Sequence, residues 1–145
     1  MRKNEFLWEK RGELLERWIN EYASTLRPKL TLKRYVIPDD WRKMELNKEL
    51  TVWGGEPAAD ILTNHLRPGK YILYTNETNI NLIKNYRIIP DESGELEVLK
   101  LFWNNKVENG IAPPILVYTD LRLEGGKRNE ETAKIIYDKF IFPKL

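Results

Sequence analysis

Apolar positions return at three- and four-residue steps along the first part of the chain. Leu7, Trp8, Arg11, Leu15, Trp18, Ile19 and Tyr22 share one face, with Glu9, Lys10, Glu13 and Glu16 on the other. That period predicts an amphipathic helix over residues 5–27, with Trp8 and Trp18 packed into a core. Pro28 follows directly, where a helix is stopped. Leu30 to Ile37 is β-branched and aromatic, lies between Pro28 and Pro38, and reads as a strand. Asp39 or Asp40 can cap a short helix over Trp41 to Leu46.

Leu50 to Trp53 is a second strand candidate, broken by Gly54-Gly55. Glu56-Pro57 then gives a helix-start signal. Ala58, Ala59, Ile61, Leu62 and Leu66 form the apolar stripe of that helix, the two alanines permitting close approach of a neighbour, and Pro68-Gly69 ends it. Tyr71 to Tyr74 reads as a buried strand. Asn76 to Tyr86 reads as a short helix with Ile80, Leu82 and Ile83 inward. Arg87 to Pro90 and Glu95 to Leu101 flank the turn-rich Asp91-Glu92-Ser93-Gly94, which predicts a β-hairpin. Pro113-Pro114 introduces Ile115 to Thr119, a run typical of a buried strand ending at Asp120. After Gly125-Gly126, Asn129 can cap a final helix that buries Ala133, Ile136, Tyr137 and Phe140. The resulting order is α-β-α-β-α-β-β-β-α: an α/β or α+β domain over residues 1–145, with a mixed sheet flanked by helices.

Composition narrows the function classes more than it selects one. The 145 residues carry 41% hydrophobic and 32% charged side chains, enough for one packed core. Mean hydropathy is −0.57, and no apolar run approaches the roughly 20 residues of a membrane span. The absence of Cys excludes disulfides, thiol catalysis and Cys-ligated metal sites. It fits a reducing cytoplasm, and a single histidine, His65, removes multi-histidine metal sites. The net charge of +2 is locally uneven. Seven basic and three acidic residues lie between Arg27 and Lys48, whereas four acids lie between Asp91 and Glu97. Candidate nucleic-acid contacts are therefore Arg27, Lys29, Lys33, Arg34, Arg42 and Lys43.

Tests for catalysis return little. Walker and Rossmann glycine patterns are absent. The Gly125-Gly126-Lys127-Arg128-Asn129 loop could hold an anion on backbone N–H groups at a helix start. A restriction-type nuclease site needs Glu-x-Lys, but Glu97 and Lys100 would point to opposite faces of a strand. No Gly-x-Ser-x-Gly elbow or nucleotidyl-transfer pattern occurs, and His65 falls near a helix end. Asp120 is the most site-like carboxylate, because ligands of α/β domains bind beyond strand C-termini. No catalytic residue, metal ligand or cofactor is assigned.

Three stretches in order carry a family resemblance. They are Trp53-Gly54-Gly55-Glu56-Pro57-Ala58-Ala59 with Leu62-Thr63 and Leu66-Arg67-Pro68, then Phe102-Trp103, then Pro113 to Leu121 with Arg128-Asn129, Ala133 and Ile136-Tyr137. From about residue 10 to residue 141 the chain resembles the C-terminal effector domain of AbiEi-type proteins, the antitoxins of type IV toxin–antitoxin systems linked to abortive phage infection. The resemblance implies a non-enzymatic cytoplasmic α/β domain that counteracts a nucleotidyltransferase-like toxin without a stable complex. In the family such a domain follows a winged helix-turn-helix head that represses the operon. No such head precedes Leu50, so the chain is expected to be either a fragment or a stand-alone effector. Of the loop the resemblance expects, only Gly125, Arg128 and Asn129 carry across.

The functional surface expected on these grounds comprises Trp53, Gly54, Gly55, Glu56, Tyr118, Asp120, Lys127 and Arg128. Arg128 is expected to bond Glu56 or Asp120 bidentately and so draw the matched motifs together. Two other classes stay open: a nucleotide- or phosphate-binding domain or enzyme using a cleft near Asp120 and the 125–129 loop, and a nucleic-acid-binding accessory or oligomerisation module.

Overall fold

The computed structural model of the protein describes the backbone of residues 3–103 and 110–144, and their side chains from residue 12 onward. Helix α1 (Lys3–Glu21) buries Leu15 and Ile19. Leu7, Trp8 and Arg11, expected on the same face, lie outside the described side chains. Trp18 is not in the core: it is 39% exposed and stacks on the buried Tyr22 with centroids 5.5 Å apart. Nor does the helix stop at Pro28. It passes through a π-helical turn (Tyr22–Leu26) into a short α2 (Arg27–Leu30). The Arg27 N–H reaches back five residues to the Tyr22 carbonyl. Pro28 sits in the first turn of the new register, where its missing N–H removes no obligatory bond.

The described strands form one sheet in the order β2-β3-β5-β1-β4. They are β1 (Thr31–Val36), β2 (Thr51–Gly54), β3 (Tyr71–Thr75), β4 (Ile89–Pro90) and β5 (Leu96–Lys100). Only the central β3–β5 pair is parallel. The fold class is thus α/β with a mixed sheet, as the element pattern predicts. The hairpin is not formed. β4 and β5 both pair with β1, from opposite sides, so the 91–94 turn arches across that strand. Gly94 makes the crossing possible, because a Cβ there would lie 2.0 Å from the Tyr35 carbonyl oxygen. The Arg34 Nε clamps the arch by donating to the Gly94 carbonyl at 3.0 Å.

Helix α3 (Gly55–Thr63) starts where Glu56-Pro57 predicts. It ends at Asn64 in the left-handed region, short of Leu66. Its fully buried Ala58 and Ala59 let it pack against α5 (Pro114–Glu124) and α6 (Lys127–Ile136). Helix α4 (Asn79–Tyr86) is capped by Thr78 and buries Leu82 and Tyr86, with Ile83 partly covered. Ile80, expected inward, is 75% exposed. The short helix after Asp40 is a single 3₁₀ turn (Trp41–Lys43) capped by the Asp40 carboxylate. Tyr137 and Phe140 follow α6 in a second π-helical turn and pack on the core edge.

The largest departure from the sequence pattern is residues 114–124, which form a helix rather than a strand. Pro113 and Pro114 occupy the N-cap and first helical position, where proline is favoured. Leu116, Val117, Asp120 and Leu121 are buried at helical spacing, and the Thr119 hydroxyl donates to the Ile115 carbonyl one turn back. Burial between the sheet and two other helices makes nearly every side of this segment apolar, so its hydrophobic run carries no helical period.

Candidate functional site

Registry fixes which side chains share a sheet face. Gly54 pairs with Ile72, Ile72 with Glu97, and Glu97 with Arg34. With the period of two along each strand, Gly54, Ile72, Tyr74, Glu97 and Arg34 therefore lie on one face. Helices α3 and α5 cover it. Tyr74 can lie flat there only because residue 54 lacks a side chain: a Cβ would sit 2.5 Å from Tyr74 Cε2. Gly55 turns the chain into α3 at φ +51, and a Cβ there would press on Ile72 at 2.8 Å. The double glycine of the matched motif thus seats Ile72 and Tyr74.

On this face a chain of polar groups converges on Asp120, whose side chain has no exposure. The Tyr74 hydroxyl donates to Asp120 Oδ2 at 2.5 Å and meets the Tyr22 hydroxyl at 2.7 Å. Arg27 Nε reaches Asp120 Oδ1 at 3.4 Å, while another of its nitrogens donates to Glu97 Oε1 at 2.6 Å. Arg34 pairs with the second Glu97 oxygen at 3.5 Å. Burial pushes the Asp120 carboxyl up to about 6, against the opposing pull of Tyr74 and Arg27. Burial, reinforced by Asp120, holds the Tyr22 and Tyr74 hydroxyls well above the ordinary tyrosine range. Burial also works against the Arg27 charge, yet Asp120 and Glu97 together keep its guanidinium above its ordinary value.

Asp120 therefore stands within a helix, with both oxygens engaged, and not at the exposed end of a strand. The adjoining cleft, of about 200 Å³, is lined by Arg27, Arg34, Lys70, Glu56, Glu97 and Asp120 among others. No residue of the 125–129 loop lines it. Each cation of the cleft has a carboxylate partner: Arg27 and Arg34 on Glu97, and Lys70 on Glu124 at 2.7 Å. An incoming phosphate would compete with carboxylates already in place.

Arg128 does not join this cluster. It is exposed, 3.2 Å from His65 Nε2 and 3.8 Å from Glu131. Its neighbour makes the tie instead: Asn129 Nδ2 donates to Glu56 Oε2 at 3.1 Å and to the Gly125 carbonyl at 2.9 Å. The other Glu56 oxygen accepts from the Gly69 and Lys70 backbone N–H groups. Asn129 consequently lies inside the first turn of α6, whose N-cap is Gly126. Lys127 is exposed, and the half-buried Tyr118 carries Arg122 on its ring at 5.6 Å. Trp53 faces the opposite side of the sheet, edge-on to Trp41 at 5.4 Å. There it lines an open groove of about 730 Å³ with Trp41, Met44, Leu46 and Ile61. The eight residues expected on one surface are therefore spread over both sheet faces and the outer helices.

The basic 27–48 stretch is also divided. Arg27 and the part-exposed Arg34 both pair with Glu97, Arg42 pairs with Asp60 at 2.5 Å, and Lys43 pairs with Asp39 at 3.3 Å. Lys29 and Lys33 are exposed and have no ion-pair partner among the described residues. Sequence reasoning missed Tyr74 as a partner of Asp120, and Tyr22 and Glu97 as the groups linked to it through Tyr74 and Arg27. A signal existed for Glu97 alone, a charged residue between the apolar and fully buried Leu96 and Val98.

Among the described residues no helix is long and apolar enough to cross a membrane. No group of three or more His, Asp or Glu stands in metal-binding proximity among them. No curated protein and no solved structure matches the chain. One family model does, over residues 7–142, and its description is transcriptional regulator, AbiEi antitoxin, type IV toxin–antitoxin system. With the match spanning nearly the whole sequence, the chain belongs to the AbiEi antitoxin family of type IV toxin–antitoxin transcriptional regulators.

Proposed function

We propose that this chain is the effector part of a cytoplasmic AbiEi-type antitoxin, counteracting a nucleotidyltransferase-like toxin without chemistry of its own and without a stable complex. The observation that carries the reading is the family match over residues 7–142. The geometry supports a non-catalytic role, since the most site-like carboxylate, Asp120, is enclosed and spends both oxygens on Tyr74 and Arg27. The accessible part of the expected functional surface is then the outer side carrying Tyr118, Lys127 and Arg128. In promoter control, DNA contacts by this chain fall first to Lys29 and Lys33, because Arg27, Arg34, Arg42 and Lys43 are already paired with carboxylates of the chain.

Coexpression with the toxin tests this. The intact chain should restore growth of cells producing a cognate nucleotidyltransferase-like toxin. A Lys127→Glu/Arg128→Glu variant should lose rescue with an unchanged melting temperature. Persistent toxicity in the presence of soluble, folded wild-type protein would defeat the proposal. DNA binding should weaken steeply with salt and with Lys29→Glu/Lys33→Glu, as phosphate contacts do.

A further inference from the structure

Among the described residues, the N-terminal helix is fastened to the sheet and α5 through buried polar groups at one place, and the two side chains involved bracket the π-helical turn. Tyr22 opens that turn and Arg27 closes it, with the Arg27 N–H on the Tyr22 carbonyl. From the two ends their side chains converge on Asp120, Tyr22 through the Tyr74 hydroxyl and Arg27 directly. Before the turn, the described attachments of α1 are slight. Leu15 and Ile19 are buried, and Glu16 pairs with Arg122 at the surface. Leu14 and Trp18 are 51% and 39% exposed. An exposed ion pair of this kind contributes little. The cluster is different in kind, because its Tyr22, Tyr74 and Asp120 members are buried, and loss of one leaves a donor or a carboxylate without its partner.

The geometry points to a clasp: we propose that Tyr22, Tyr74, Asp120 and Arg27 set the docking of α1, with the π-helical turn Tyr22–Leu26 as the hinge. A single-turn π insertion is a recognised local irregularity of helices, with hydrogen bonds already out of the α register and concentrated at functional positions. With the clasp closed, Trp18 stacks on Tyr22, and the Tyr22 ring lies 6.2 Å from Phe102, itself packed edge-on against Tyr74. Opening it uncovers Ile19, Tyr22 and the inner side of Phe102 beside the already exposed Leu14 and Trp18. The apolar surface the chain offers therefore depends on a hydroxyl–carboxylate contact made on α5 and β3. This inference concerns the chain's own mechanics and stands or falls independently of the antitoxin reading.

Hydrogen exchange on the full chain tests it, with Tyr22→Phe, Tyr74→Phe and a control. The control is Tyr86→Phe, which removes a hydroxyl from the separate cluster where Tyr86 donates to Glu77 at 2.6 Å. In Tyr74→Phe, amides of residues 12–31 should exchange about ten- to a hundredfold faster, the range expected when a buried carboxylate loses a donor. Tyr22→Phe, which loses only the outermost hydroxyl, should shift the same amides by less. β3, β5 and α5 should keep wild-type rates in both, and Tyr86→Phe should leave residues 12–31 unchanged. Unchanged rates at 12–31 in the clasp variants would overturn the proposal. So would an equal acceleration in β5, or an equal effect from Tyr86→Phe. If Tyr74→Phe does not fold, Tyr22→Phe decides on the same criteria, since it keeps the ring and removes one hydrogen bond.

Discussion

Asp120 gives the fold a pH dependence of unusual sign for a carboxylate, and Asp120→Asn isolates it. The group is fully enclosed, and burial raises its carboxyl from an ordinary 3.8 to about 6 despite Tyr74 and Arg27. The charged and titratable groups facing it are Tyr22, Tyr74, Arg27 and Glu97. A folded-state pKa above the unfolded one means that the native state holds the extra proton. The associated stability is fully present below about pH 4 and is lost as the pH rises through about 6. At about 1.4 kcal/mol per tenfold change in proton affinity, the whole effect is about 3 kcal/mol, of which about 2 kcal/mol falls between about pH 4.5 and 7.5. Urea denaturation of wild type and Asp120→Asn across that range measures it. The stability of wild type relative to the variant should fall by about 2 kcal/mol on going up in pH. Asp39 and Asp91 are held below the ordinary range by the backbone N–H groups of Asp40 and Ser93. They act in the opposite sense in both proteins and cancel in the difference. Parallel curves, or a relative stability that grows with pH, would refute the reasoning, since Arg27 and Tyr74 would then outweigh the cost of burial.

Other outcomes follow from the packing. Gly54→Ala should destabilise by about 1–3 kcal/mol in urea denaturation, because its Cβ would meet the Tyr74 ring at 2.5 Å. Ile136→Ala, at a fully buried position, should cost about 2–5 kcal/mol. Arg128→Ala should change thermal stability by less than about 0.5 kcal/mol, as expected for an exposed side chain. Asn129→Ala should cost about 1–3 kcal/mol, since Glu56 would lose a partly buried donor. A larger loss from Arg128→Ala than from Asn129→Ala would reverse the assignment of the tie between α3 and α6.

What the sequence determined by itself is local. The Gly54-Gly55 turn, the Glu56-Pro57 helix start and the alanines that let α3 approach its neighbours all follow from short-range stereochemistry. So does the α/β class, from the alternation of short strands and helical stripes. The order and spacing of the matched motifs also identified the family. Wherever a segment's surroundings outweighed its own pattern, tertiary structure decided. Pro113-Pro114-Ile115-Leu116-Val117 became a helix because burial on several sides erased the helical period while two prolines still favoured a helix start. Glu95 to Leu101 left its apparent hairpin partner because β1, distant in sequence, stands between them and offers one edge to each strand. Asn129 replaced Arg128 because adjacent helix positions point about 100° apart, and only the three-dimensional placement of Glu56 selects between them. The polar chain on Asp120 was hidden for the same reason. Tyr22, Arg27, Tyr74, Glu97 and Asp120 come from five separate elements, and no spacing along the chain encodes a meeting that only packing brings about.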